Sequence, residues 1–408
     1  MFTRSIWVVG SLAIAGCSSS ANSGGGSAAT GTGGGTGAGG AGAGGAGGAG
    51  AVSTCALGLM KEGSDCIDPI RRFEPAARVD FNNVVSYGGA LTLKLPDPPK
   101  SGFRLVVPPQ PIKPGEEIEG CAAWAYPTLK NKNVYAATVY TSGALHHSNM
   151  YGVSLAATGP SPYPKCAPGQ TDLTSQIANH VLPKGDILDV LFANSTQIKD
   201  GESIVFPKGM AFKLTTDGRE VATTIHWLNV TDREMTSEVV YDFFTMPDDQ
   251  VTEELVPFVY DNQVFSIPPN SEGHIATTCD LKKPGNIVSV MPHTHRQTKS
   301  FVAELVRADG TTESLVNDGA INGNSQIEVF DKPISTEGFT QLRFDCAVWN
   351  GNTPPAPIVH GVEQNEMCTL FGYMYPKSAQ QMGAVVGTLN TDGSAPPCAS
   401  LDLGALRK

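Results

Sequence analysis

The feature that most limits how this chain folds is its punctuation. Beyond Val52, short runs rich in Val, Thr, Phe and Tyr alternate with turns built from Pro, Gly, Asn and Asp. Long amphipathic helical windows are absent, so the pattern reads as all-β, with many short strands in sandwiches or jelly rolls. Strands are predicted at Asn133–Tyr140, Glu220–Asn229, Ser237–Phe244, Ser300–Val306 and Gln341–Val348, with one short helix over Asp172–Asn179. The segment from Met246-Pro247-Asp248-Asp249 to Pro257 is the best internal boundary, dividing the folded body into halves of ordinary sandwich size. The predicted organisation is an extension over 52–78 and two tandem domains over 79–248 and 249–408.

The N-terminus predicts the compartment. Met1–Gly16 carries one positive charge at Arg4 and a short apolar run from Ile6 to Ile14, too short to span a bilayer, and reads as an export signal. It ends Ile14-Ala15-Gly16-Cys17, which resembles the lipobox of bacterial lipoproteins, with Cys17 as the lipidated residue. An ordinary cleavage site beside a cysteine is the alternative. From Ser18 to Ala51 the chain is almost entirely Gly, Ala, Ser and Thr, without charge or aromatic residue, and reads as a disordered tether. Such a coil has a reach of roughly 30 Å. The expectation is an exported protein anchored by lipid to a bacterial membrane.

The formal charge of −11 argues against nucleic acid or an anionic surface as partner and slightly favours neutral or cationic ligands. Of nine cysteines, eight remain once Cys17 is set aside, and no C-x-x-C occurs. An even number in an exported chain predicts four disulfides, with the pairing left open.

The chemistry-bearing residues are few. There are eight histidines, and five stand in suggestive settings: the pair His146-His147, His226 before Trp227-Leu228-Asn229, and His293-Thr294-His295 after Met291-Pro292. In a strand, His293 and His295 project to one face and can share a metal; two surface histidines near a turn is the plain alternative. Adjacent histidines face opposite ways in a regular strand. One metal at His146-His147 therefore needs a bulge, a strand end or different ring nitrogens, with His226 as a third donor. Imidazole suits zinc, copper, iron and nickel, whereas a thioether selects Cu(I); Met367, beside Cys368, is otherwise a packing residue. His180, His274 and His360 read as solvated or turn histidines, with His360 drawing interest because it is close to Met367.

Taken in order, His146-His147, His226, Pro292-His293-Thr294-His295 and Asn365-Glu366-Met367-Cys368 leading to Tyr375-Pro376 resemble the copper type II ascorbate-dependent monooxygenases, the family of peptidylglycine and dopamine hydroxylating enzymes. The resemblance covers most of Asp80–Cys398. It implies two jelly-roll-like sandwiches with one copper each, facing across a solvent-filled cleft. His146, His147 and His226 would hold the electron-supplying copper, and His293, His295 and Met367 the catalytic one, where O2 and substrate meet. It further implies disulfides Cys121–Cys166, Cys346–Cys368 and Cys279–Cys398, leaving Cys55–Cys66 as a local pair. The implied reaction is hydroxylation of an activated C–H bond, with two copper ions, O2 as co-substrate and ascorbate or another one-electron reductant.

The chain also departs from the family. Ser148 follows the paired histidines where a large apolar residue is expected, and Met291, Thr369 and Phe371 replace the arginine, asparagine and tyrosine with which peptide-amidating members clamp a carboxylate. A peptide C-terminus is thus disfavoured and a small, apolar C–H substrate is the better fit. Two other functions suit the same residues. A copper-binding, delivery or electron-transfer lipoprotein would keep the ligands and lack a substrate pocket. A surface adhesion or scaffold protein would make the ligand set coincidental.

Overall fold

The computed structural model describes residues 60–62, 65–67, 77–80, 87–124, 132–154, 189–194, 200–214, 219–229, 231–295, 297–318, 327–352, 354–361, 365–390 and 392–402. Cys17, the tether, Cys55, Cys166, His180 and the helix expected at Asp172–Asn179 lie outside them. Among the described residues there is no α-helix, only two short 3-10 turns, and no helix long and apolar enough to cross a membrane.

Three short strands come first: β1 (Met60–Glu62), β2 (Asp65–Ile67) and β3 (Ala77–Asp80). The next nine are β4 (Gly102–Ile112), β5 (Glu117–Trp124), β6 (Lys132–Thr141), β7 (Leu145–Ser154), β8 (Asp189–Ala193), β9 (Gly201–Val205), β10 (Met210–Leu214), β11 (Arg219–Leu228) and β12 (Met235–Met246). Ten follow the turn at Asp248–Gln250: β13 (Glu253–Asn262), β14 (Glu272–Asp280), β15 (Asn286–Thr294), β16 (Thr298–Arg307), β17 (Thr312–Asp318), β18 (Glu328–Ser335), β19 (Phe339–Trp349), β20 (Cys368–Tyr375), β21 (Gln381–Val385) and β22 (Ala399–Asp402). All five strand runs predicted from β-branched and aromatic content are strands, as β6, β11, β12, β16 and β19.

These strands form sandwich-like layers. An eleven-stranded sheet runs β18-β15-β20-β13-β10-β6-β12-β4, with β9 on β6 and β21-β22 joined to β13. A five-stranded sheet, β3-β5-β11-β7-β8, and a four-stranded sheet, β14-β19-β16-β17, complete the main layers. The long sheet passes from one half of the chain to the other through a parallel pairing of β10 with β13, Met210 to Glu253 through Phe212 to Leu255.

The cores follow from alternation. On β13, β15 and β20, one set of side chains (Phe258, Tyr260, Val290, Leu370, Met374) packs with Ile275, Phe301 and Phe344 from the four-stranded sheet. The other set (Val259, Met291, Phe371, Tyr373) joins the core built from β4–β12. With both faces covered, β20 reads as the unbroken run Cys368-Thr369-Leu370-Phe371-Gly372-Tyr373-Met374, buried throughout, and carries no polar alternation. By contrast β14, covered on one face, alternates exposed and buried positions along most of its length.

Two of the expected disulfides are present, Cys279–Cys398 and Cys346–Cys368, with sequence separations of 119 and 22. Because a cross-link restricts the unfolded chain in proportion to the logarithm of the loop it closes, replacing Cys279 and Cys398 with Ala should cost about 5 kcal/mol and replacing Cys346 and Cys368 about 3 kcal/mol. Chemical denaturation of the two double variants checks the order; equal losses would show that native packing, not loop closure, sets their value.

Candidate metal centre

The first histidine set is built by a turn and a bulge. Strands β6 and β7 join through Ser142-Gly143-Ala144, where Gly143 (φ 120°) and Ala144 (φ 59°) both take positive φ. Opposite, β11 pairs His226 with His147 and Trp227 with Leu145, so His146 is the extra residue of a β-bulge. Leu145 and Trp227 are fully buried and fix the strands on either side of it. The bulge removes the obstacle that strand alternation sets for adjacent histidines. A ligand nitrogen from each of His146, His147 and His226 lies within 4.8 Å of the others, and the ring centroids are 4.9–5.2 Å apart.

Glu117 orients this set. It lies on β5, two residues from the position paired with His226, and its Oε1 accepts the His226 Nε2 proton. Both side chains are buried. The bond assigns the proton to Nε2 and turns the Nδ1 lone pair toward His147, whose Nε2 is 3.4 Å away.

The second set lies on one face of three adjacent strands. β20 pairs with β15 so that His293 faces Thr369 and Met291 faces Phe371; on its other side Thr369 faces Asp261 and Phe371 faces Val259 of β13. Side chains two residues apart share a face, so the strands present two rows: Asp261, Thr369 and His293, then Val259, Phe371 and Met291. One step beyond the polar row stand His295 and Met367. Glu366 Oε1 ties these two together, accepting the backbone N–H of His295 and that of Met367 (2.9 Å). The Cys346–Cys368 disulfide holds the next residue. Both rows, with Met367, His360, Asn149 and Ala193, line a pocket of about 510 Å³ including its open mouth.

The two sets meet. The His147 ring is 5.3 Å from His293 and the His146 ring 6.4 Å from His295, while His293 and His295 are 5.4 Å apart. The solvent-filled cleft implied by the family resemblance is therefore not seen between them: buried and half-buried imidazoles of the two halves are in contact.

Burial dominates the electrostatics. Desolvation, then the neighbouring histidines, hold His147 and His295 well below the usual imidazole range; enclosure lowers His293 to about 4. Neutral imidazole is the metal-binding form. His295 Nδ1 is buried with no hydrogen-bond partner, an arrangement that costs free energy until a ligand uses the nitrogen. Burial raises the Glu366 carboxyl to about 7, against the lowering effect of the His295 and Met367 amides. The residues present thus fit a transition metal of borderline to soft character: imidazoles in both sets, a thioether in one.

The structure brings His146, His147, His226, His293, His295 and Met367 into one region. It also shows participants that spacing did not mark. Glu117 is 109 positions from His226, and Asp261 stands in no motif. Glu366 lay within a recognised motif but had no role there. Of the remaining histidines, His274 bonds the surface Asp345, as a solvated histidine should, whereas His360 lines the pocket.

Two outcomes follow from this geometry. The depressed histidines bind fewer protons folded than unfolded, so their contribution to stability is complete above pH 6.5 and is lost as pH falls toward 4. Glu366, whose folded value is raised from 4.5 to about 7, acts in the opposite sense between those values. With three histidines against one carboxyl, the metal-free chain should melt lower at pH 5 than at pH 7.5, and Glu366→Gln should steepen the difference; a flat profile in both would refute it. Glu366→Ala, which strands two buried amides, should lower stability by about 2–5 kcal/mol in denaturant, and Glu366→Gln by less.

Residues 254–389 match the family model described as copper type II ascorbate-dependent monooxygenase, C-terminal domain; the match includes His293, His295 and Met367 but not His146, His147 or His226. No curated protein matches the chain. Among solved structures, PBCV-1 VP54 aligns at 6% identity over 69% of this chain and 95% of that one (TM-score 0.25). The PBSX exported protein XepA aligns at 7% over 68% and 88% (0.19), and infectious bursal disease virus VP2 at 10% over 60% and 57% (0.18). Likenesses this low carry no argument about fold or function. The second histidine set and its methionine thus lie in the segment, 254–389, that is similar to the C-terminal domain of the copper type II ascorbate-dependent monooxygenases.

Proposed function

We propose that the protein is a copper-dependent monooxygenase that hydroxylates a C–H bond of a small, largely apolar substrate, using O2 and an external reductant such as ascorbate. The observation that carries the reading is that His293 and Met367, two members of the softer donor set, line the pocket beside an apolar wall. A copper-storage or delivery protein needs the donors but no such cavity.

His146, His147 and His226 would hold one copper, and His293, His295 and Met367 a second. Bound there, copper would supply one-electron chemistry toward dioxygen. The chain's own residues do the rest. Glu117 fixes the His226 tautomer, and Glu366 holds the backbone of His295 and Met367 in register. Val259, Phe371 and Met291 offer an apolar surface that excludes water around a substrate's hydrocarbon part. Met291, Thr369 and Phe371 form adjoining parts of one wall, and none of them supplies a charge that would hold a carboxylate. The export signal, Cys17 and the Gly-rich tether support an exported, lipid-anchored protein.

The full-length chain, loaded with copper and dialysed, should retain two coppers. The His293→Ala/His295→Ala double variant should retain one, as should His146→Ala/His147→Ala. Ascorbate-dependent oxygen uptake should require both sets. One copper in the parent, without uptake, would favour a binding or delivery role; no retained copper would sink the proposal.

A further inference from the structure

Asp261 places a carboxylate in a wall that otherwise suits apolar contact. It is 4% exposed, in line with Thr369 and His293 across three strands. Its Oδ1 accepts the Thr369 hydroxyl proton (2.7 Å) and its Oδ2 a Gln263 Nε2 proton (2.8 Å). A carboxylate offers about four acceptor positions, so these bonds leave about two in use and two open.

His360 faces it. The chain around His360 is tied back to the residue before Met367: Gly361 N–H donates to the Glu366 carbonyl and Glu366 N–H to that of Val359, each at 3.1 Å. This holds His360 Nε2 3.7 Å from Asp261 Oδ2, beyond hydrogen-bond reach, and the buried nitrogen has no hydrogen-bond partner. Among the described residues, no lysine or arginine lines the pocket.

We infer that Asp261 and His360 form the polar anchor of this pocket, taking the hydrogen-bond-donating head, ammonium or hydroxyl, of a small apolar molecule. The inference rests on the pocket being the substrate site of the proposed oxygenase. A donor atom about 2.8 Å from both Oδ2 and Nε2 stands at the apex of a triangle on their 3.7 Å base. An ammonium donates to both; a hydroxyl donates to the carboxylate and accepts from the imidazole N–H. An anionic head would meet Asp261 with no lysine or arginine among the described lining residues to offset it, which is the reverse of a carboxylate clamp. The hydrocarbon part then lies over Val259, Phe371 and Met291. Asp261 and His293 are two strand spacings apart, roughly 9–10 Å, so the carbon presented to His293 and Met367 lies a few bonds from the head.

The test is calorimetric titration of the full-length, copper-free chain with benzylamine, benzyl alcohol, toluene and benzoate, the metal being left out so that amine coordination to copper makes no contribution. At least one of the two head-bearing donors should bind about tenfold or more tighter than toluene and benzoate, and which one does so identifies the head. His360→Phe and Asp261→Asn should each remove that advantage and leave toluene unchanged. His360→Phe breaks none of the bonds to Thr369 or Gln263, so it decides the matter even if Asp261→Asn does not fold. Equal binding of all four probes, binding of none, or an undiminished advantage in folded His360→Phe would overturn the anchor. Copper content and ascorbate-dependent oxygen uptake of the same preparations separate the two readings. Selectivity without copper retention defeats the oxygenase and keeps the anchor, and copper retention without selectivity does the reverse.

Discussion

The site depends on the seating of β20 between β13 and β15. That strand is buried on both faces, and its two faces serve different ends: Leu370 and Met374 point into one core, Thr369 and Phe371 into the pocket. A slip of one residue would exchange them, removing the pocket's polar row and burying it in the core. Close approach is allowed by Gly372, where a Cβ would come within 2.1 Å of the Ser289 carbonyl oxygen and 2.5 Å of the Phe258 ring. At the other end of the strand, Glu366 and the Cys346–Cys368 bridge hold the register where Met367 begins.

How far the sequence could be read depended on whether a feature was local. Strand runs were legible because β-branched and aromatic residues bounded by turn formers act over a few positions, and the histidine motifs were legible because their members are neighbours. The bulge at His146 was legible only as a requirement. What produces it, a positive-φ turn at Gly143-Ala144 and the buried Leu145 and Trp227, depends on packing from β11. Glu117 and Asp261 gave no signal, since a single acid in a β chain acquires its role from a strand paired far away in sequence. The parallel pairing of β10 with β13 was equally silent: three residue pairs carry no pattern of their own. The separation of the two histidine sets was inferred from family resemblance alone, and it is here that expectation and structure part.

The electrostatic design is one of neutral donors in a dry place. Low-dielectric surroundings keep His147, His293 and His295 uncharged, and the same surroundings make Glu117 and Glu366 effective as acceptors because water does not compete for their bonds. Each buried carboxylate near the donors is spent on a specific proton: Glu117 on a ring N–H, Glu366 on two backbone N–H groups. Asp261 differs, since its bonds to Thr369 and Gln263 leave acceptor capacity facing the cavity.

The strand pair that fuses the two halves into one sheet has a mechanical consequence. A flexible linker would let the histidine sets drift apart at little cost, and their spacing would be an average over an ensemble. With β10 and β13 hydrogen-bonded side by side, the halves behave as two plates riveted along a common edge. His147 stands on β7, in the five-stranded layer packed on this shared sheet, so widening its gap to His293 means bending the sheet, unzipping its seam or breaking the core between the layers. The spacing of the two sets is thereby a property of sheet pairing and layer packing together, and not of a linker's length.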